Sequence, residues 1–216
     1  MSIETLPARP RVGVLAVQGA FAEHQAALQA AGADAVQVRT PQELAGLSGL
    51  VIPGGESTTI RIVAGDSGLL GAVRAAVDDD LPVLGTCAGL IALADRIEDG
   101  DTPLVGGLDV TVRRNAYGRQ VASFETALRV PGLGEGDMDA VFIRAPQIVQ
   151  TGPAVRIIAV LDGQPVAVRQ GEMMGVAFHP ELTDDRRFHA WLVDRARHRA
   201  AGRATNTRED RRVGAQ

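Results

Sequence analysis

The chain contains no lysine, so all 22 of its fixed side-chain cations are arginines. It has one cysteine, Cys87. A lone cysteine excludes an intramolecular disulfide framework and any zinc site built on several thiolates, and it fits a reducing compartment. No stretch approaches the roughly 18 uninterrupted apolar residues that a membrane-spanning helix needs. The first residues, MSIETLPARPR, lack the charged start and apolar run of a secretory signal. Excess charge is missing too. The net charge of -4 and pI near 5.6 offer no basic surface for nucleic acid or an anionic membrane. No histidine pair has metal-ligand spacing backed by acidic or cysteine neighbours, so no metal site is expected; no cofactor is expected either. These absences read as a cytoplasmic protein.

What is present is an ordinary globular composition, 45% hydrophobic and 22% charged over 216 residues, enough for one domain with a substantial core. Residues 12–17, VGVLAV, form a near-continuous apolar run, the pattern of a parallel strand buried on both faces. Residues 20–31 are helical and Gly32 is placed to end them. Strands follow at 34–38, 49–52 and 82–86. A helical stretch over 57–79 is broken by Gly65 and Gly68, and another helix covers 88–96. This alternation predicts an open α/β sheet with helices on both faces. Past residue 100 the pattern turns to strands, at 108–113, 124–130, 139–143, 156–161, 164–169 and 173–178. Asp162-Gly163 is a hairpin signal, so antiparallel strands should extend the parallel sheet. A last helix is expected from about Thr183 to residue 200, with a polar, disordered tail over 201–216. No linker divides the chain, which reads as a single domain with its core at about 11–200.

Three patches carry chemistry. Gly85-Thr86-Cys87-Ala88-Gly89 lies between a buried strand and a helix. That context fits a nucleophile elbow, where small flanking residues allow a sharp turn and the helix start favours a thiolate. It equally fits a small buried cysteine. His179-Pro180-Glu181 follows an apolar strand. In an extended segment residues i and i+2 face the same way, so Glu181 can orient His179 as a base, or the pair can be a strand-end coincidence. The other histidines, His24, His189 and His198, read as structural or solvated. Pro53-Gly54-Gly55-Glu56-Ser57-Thr58 also follows a parallel strand, at the edge where open α/β sheets bind ligands. Its glycines can present backbone N–H groups, or the loop can be a plain turn with a helix cap. No GK[ST] follows, so it is not a phosphate-binding loop of that kind. Together the patches supply a thiol, an imidazole–carboxylate pair and a donor loop at strand ends, the parts of a Cys-His-Glu acyl-transfer site.

The same residues resemble class I glutamine amidotransferase domains. AVQGAFAEH, PGGESTT at 53–59, GTCAGLIAL at 85–93, RRNAYGRQ at 113–120, FIRAP at 142–146 and FHPEL at 178–182 are similar, in order, to the PdxT or SNO type. That type is the glutaminase subunit of pyridoxal 5′-phosphate synthase. The resemblance runs from about residue 11 to about 195 and implies a flavodoxin-like three-layer α/β/α fold, mainly parallel. It implies hydrolysis of L-glutamine to glutamate and ammonia, with ammonia passed to a barrel-shaped synthase subunit. The implied assembly is large, up to a dodecameric synthase core with as many glutaminase subunits around it. Carried to matching positions, Cys87 is the nucleophile, His179 the base and Glu181 its orienter. Gly55, Glu56, Ser57, Arg114, Ile143 and Arg144 contact glutamine, and Gly54, Gly55 and the amide of Ala88 serve the oxyanion. An arginine suits a free amino acid's carboxylate, which it can grip through two parallel hydrogen bonds. Gln18, at the end of the first strand, is a weaker candidate. Two rivals stand beside this reading: a γ-glutamyl hydrolase or cysteine peptidase on a similar fold, and a non-catalytic regulatory subunit.

Overall fold

The computed structural model describes residues 9–65, 67–98, 100–114 and 123–213, except for the side chains of 57, 58, 63 and 204–213. Most of the RNAYGRQ stretch, including Tyr117, lies outside the described residues.

Five strands form the parallel body of a seven-stranded sheet. They are β1 (Arg11–Leu15), β2 (Asp34–Val38), β3 (Gly49–Ile52), β4 (Val83–Thr86) and, far along the chain, a strand at Met173–Val176. Between β4 and that strand lie β5 (Ala94–Ile97), β6 (Leu108–Arg113), β7 (Ser123–Arg129), β8 (Asp137–Ile143), β9 (Gln147–Thr151), β10 (Arg156–Leu161) and β11 (Gln164–Gln170), which makes it β12. The sheet order is β10-β11-β12-β4-β3-β1-β2, with β10 and β11 antiparallel. β3, β4 and most of β1 are buried along their length, as their apolar runs demand. The Asp162-Gly163 turn closes the β10–β11 hairpin as expected, with Asp162 at φ 49°.

The helices are α1 (Phe21–Ala30), α2 (Ser57–Gly65), α3 (Leu69–Asp78), α4 (Ala88–Leu93) and α5 (Arg187–Val213). α1 packs on α5, which crosses β1, β3 and β4. α2, α3 and α4 form a second group, with α4 over β3, β4 and β12. The sheet lies between, which gives the expected three layers.

Four expectations change. The helix predicted over 88–96 stops at Leu93, and Ala94–Ile97 is a strand. Gln147–Thr151 is a strand that the sequence did not signal. The strands added after residue 100 do not all join the main sheet: β5-β6-β9 and β7-β8 form two small sheets of their own. Finally, α5 starts at Arg187, after a short 3-10 turn at Pro180–Leu182, and continues through residues 201–213, where a disordered tail was expected. Arginines along α5 tie it to the body: Arg195 pairs with Glu172, and Arg203 reaches the Leu47 carbonyl and Asp79.

The register places the chemistry. Gly85 of β4 stands level with Ile52 of β3 on one side and Gly175 of β12 on the other. The three strands therefore end side by side. The residues that leave them, Pro53-Gly54-Gly55, Cys87 and Phe178-His179, emerge together at the carboxyl edge.

Candidate active site

Cys87 caps α4 with φ 48° and ψ −103°, a conformation a side chain adopts only under constraint. The constraint is visible on both flanks. Its N–H donates to the Val176 carbonyl at 2.8 Å, extending the β4–β12 ladder. On the other flank, a Cβ on Gly89 would lie 1.9 Å from the Ile52 carbonyl oxygen, and one on Gly85 would lie 2.6 Å from the Gly89 carbonyl oxygen. Only glycine lets the helix start that close to the strand ends. The turn holds the sulfur at the edge of the sheet, 7% exposed, with Sγ 3.8 Å from the Ile143 carbonyl.

His179 arrives from β12. Phe178 is fully buried, with its ring 5.5 Å from Phe142 and 5.4 Å from Phe188, and the His179 N–H donates to the Val141 carbonyl at 2.8 Å. These contacts fix the backbone on either side of the imidazole. Pro180 starts the 3-10 turn that brings Glu181 back beneath it, and Nδ1 of His179 lies 2.8 Å from Glu181 Oε1. The carboxylate thereby sets Nδ1 as the protonated nitrogen and leaves Nε2 for chemistry. Burial alone would push the His179 pKa down. Its hydrogen bonds to Cys87 and Glu181, with their negative charge, outweigh burial and raise it to about 10.

The Gly-rich loop closes the third side. A Cβ on Gly54 would lie 2.5 Å from His179 Cε1 and 3.3 Å from Cys87 Cβ, so the backbone there packs directly on the thiol–imidazole pair. The Gly54 N–H donates to Thr86 Oγ1 at 3.0 Å. It therefore points into the protein and not at the cleft, contrary to the expectation that Gly54 offers an oxyanion donor. In this conformation Gly55 and Ala88 are the candidate donors that remain.

A cleft of about 170 Å³ opens over these groups. Of the residues singled out by sequence, Gly55, Glu56, Cys87, Ala88, Arg114, Ile143, Arg144 and His179 line it. Glu181 sits behind His179, and Ser57 begins α2 with its side chain outside the described residues. Arg114 is ion-paired with Asp101. Arg144 is exposed, stands at φ 44° after the end of β8, and has no ion pair among the described residues. Gln18 and Ile91 complete the lining. Gln18 matters more than the sequence suggested, since its Oε1 accepts from the Glu56 N–H at 2.8 Å and ties the loop to the end of β1.

His24 and His189 are structural, one of the two readings the sequence allowed. Both are fully buried, and His24 reaches the back of Glu181. A signal existed: His24 shares a helix face with buried Ala27 and Leu28, and His189 with buried Leu192 and Val193.

Residues 14–198 match the model of the SNO glutamine amidotransferase family. The chain belongs to that family. It is a glutamine amidotransferase. The pyridoxal 5′-phosphate synthase subunit PdxT of Clavibacter michiganensis is 55% identical over 188 residues, spanning 86% of this chain and 90% of the relative. The subunit of the same name from Carboxydothermus hydrogenoformans is 46% identical over 185 residues, covering 86% and 97%. A solved glutamine amidotransferase structure superposes with a TM-score of 0.81 at 46% identity, over 86% of this chain and 98% of its own. PurLQS from Thermotoga maritima, 16% identical with a TM-score of 0.63 over 89% of this chain and 97% of its own, shares the fold. The architecture of this amidotransferase is accordingly the flavodoxin-like one expected. None of its described helices is long and apolar enough to cross a membrane.

Proposed function

We propose that this amidotransferase hydrolyses L-glutamine to glutamate and ammonia through Cys87, His179 and Glu181, and supplies the ammonia to a pyridoxal 5′-phosphate synthase subunit in the cytoplasm. One observation carries the chemistry. An imidazole oriented by a buried carboxylate at 2.8 Å stands beside the cleft's sole cysteine at the mouth of an elbow. The relatives named as synthase subunits support the partner. A single domain, and a large assembly on a synthase core, belong to the same reading.

The proton of Cys87 passes to His179 Nε2, an acceptor whose affinity for a proton is raised to about 10 by its neighbours. The thiolate attacks the side-chain amide carbon of glutamine, and the carbonyl π electrons move to oxygen. Backbone N–H groups of Gly55 and Ala88 hold that oxyanion, worth about 3 kcal/mol per donor. The C–N bond breaks as the imidazolium gives its proton to the leaving nitrogen, which departs as ammonia and leaves a γ-glutamyl thioester. His179 then takes a proton from water, hydroxide adds to the thioester, and glutamate leaves as the proton returns to sulfur. Arg144 is the cation available for the substrate's α-carboxylate. Glu56, exposed at the loop, offers an acceptor for the α-ammonium.

The test is Cys87→Ala, assayed for glutamate release in the presence of the synthase. Activity should vanish while the variant still folds and co-purifies with the synthase. Glutamine turnover at the wild-type rate would remove the thiol from the mechanism. Assaying γ-glutamyl peptides beside free glutamine separates this reading from a γ-glutamyl hydrolase.

A further inference from the structure

The mechanism leaves two buried histidines without a task. His24 of α1 and His189 of α5 are 165 positions apart in sequence and meet with Nδ1 of His24 2.9 Å from Nε2 of His189. The other edge of His24 faces the catalytic residues. Its Nε2 lies 3.1 Å from Thr86 Oγ1 and 3.3 Å from Glu181 Oε2. Oε2 is the carboxylate oxygen that His179 does not use. It is fully buried and has no aligned hydrogen bond among the described residues, where His24 approaches within ion-pair distance but off the hydrogen-bond axis.

The proton positions follow from the carboxylate. Burial lowers the pKa of His24, with His189 and His179 adding to the effect, and burial with Arg186 lowers that of His189 to about 4. Both are neutral at pH 7, so each carries one ring N–H. An ionised carboxylate only accepts, so His24 must present its N–H at Nε2. Its Nδ1 is then bare and accepts from His189 Nε2–H. That leaves the lone pair of His189 Nδ1 over, and Nδ1 is the ring atom that lacks a hydrogen-bond partner among the described residues. An idle acceptor is a cheaper place for such a chain to stop than an idle donor. The groups around the pair come from every packed element: Glu181 and His179 from the turn after β12, Thr86 and Cys87 from the elbow, and Arg186 from the entrance to α5.

We infer that His24, held in one tautomer by His189, is a positioning residue: it anchors the second oxygen of Glu181 and so fixes the imidazole of His179 against the thiol. Thr86 extends the arrangement, because the same hydroxyl that meets His24 receives the Gly54 N–H. The donor loop and the catalytic base are thus braced by one buried cluster. The inference rests on the Cys-His-Glu reading above.

The experiment compares His24→Leu, which fills the space but cannot donate, with His24→Gln, whose side-chain amide can donate near the Nε2 position. Both are assayed with the synthase for kcat and KM over pH, and for the rate at which iodoacetamide alkylates Cys87. With Leu, kcat should fall about tenfold, as when a partner that orients a metal-bound histidine is removed. KM for glutamine should stay within about twofold. The alkaline limb of kcat/KM should move to lower pH, because a less firmly held Glu181 supports the His179 imidazolium less well. Gln should recover most of the loss. If Leu prevents folding, His24→Asn replaces it, since it donates at the Nδ1 position but not at Nε2, and the same loss is expected. A folded Leu or Asn variant with wild-type kcat and pH profile overturns the inference, and so does a loss that Gln fails to recover. Should Cys87→Ala remain active, the underlying mechanism falls instead. An inactive Cys87→Ala beside an unimpaired His24→Leu removes only the positioning role.

Discussion

Mild acid should destabilise this protein well before its carboxylates titrate. The perturbation is a shift from pH 7 to pH 5. His189 is held at about 4 against an ordinary 6.5, so between those values the unfolded chain binds a proton that the folded chain refuses. Stability from this group is whole above about pH 6.5 and lost as pH falls toward 4. The full gap, at about 1.4 kcal/mol per pH unit, is worth about 3 kcal/mol. Stopping at pH 5 samples about 2 kcal/mol of it. His24 is shifted in the same direction and adds to the loss. His179 does not interfere. Its pKa is raised to about 10, so its contribution is whole below about 6.5 and fades only as pH climbs toward 10. The carboxylates with lowered pKa, Glu43, Glu98, Asp101 and Glu172, begin to matter only below about pH 5. Urea unfolding of the full chain at pH 7, 6 and 5 and constant ionic strength reads the effect directly. The unfolding free energy should drop by about 2 to 4 kcal/mol, and the drop should shrink in a His24→Leu/His189→Leu variant. A wild-type free energy that stays level from pH 7 to 5, or an equal drop in the double variant, would refute the reasoning.

Glu181→Gln keeps the shape of the orienting contact but removes its charge. The His179 pKa should fall, so the alkaline limb of kcat/KM should move down from near 10, with kcat reduced at least about hundredfold; an unmoved limb would mean Glu181 does not support the imidazolium. The chain assayed without the synthase should be a weak glutaminase, because the Gly54 N–H is spent on Thr86 and only Gly55 and Ala88 remain as candidate oxyanion donors. Equal turnover with and without the synthase would contradict that.

Much of the site was legible because it is local in sequence. Cys87 and its glycines, His179 with Glu181, and the Gly54–Gly55 loop each follow a strand whose apolar run announces it, and strand ends of a parallel sheet share one edge. What stayed hidden was non-local or lacked periodicity. All six residues of α4 are buried, so AGLIALADRI shows no helical stripe whose end could mark the change to β5 at Ala94. β6 pairs with β9 across a long stretch, Val110 opposite Thr151, and alternation alone specifies neither that pairing nor that the local β7–β8 pair, closing at Arg129 opposite Asp137, stays apart from the main sheet. The direction of the Gly54 N–H is a loop detail set by Thr86, 32 positions away. His24 and His189 lie on different helices, and only the packing of α1 on α5 brings their rings together.

A single thiol and no side-chain amine make this chain its own reporter. A thiol-directed tag has one destination, and that destination is the sulfur under the Ile143 carbonyl at the floor of the cleft. One mass increment per chain therefore counts occupied sites, and its rate of appearance clocks how often the cleft admits a reagent. Amine-directed cross-linkers behave in the complementary way. With no lysine, the chain offers them no side-chain amine, so linkages formed in a mixed assembly chart the other component almost without background.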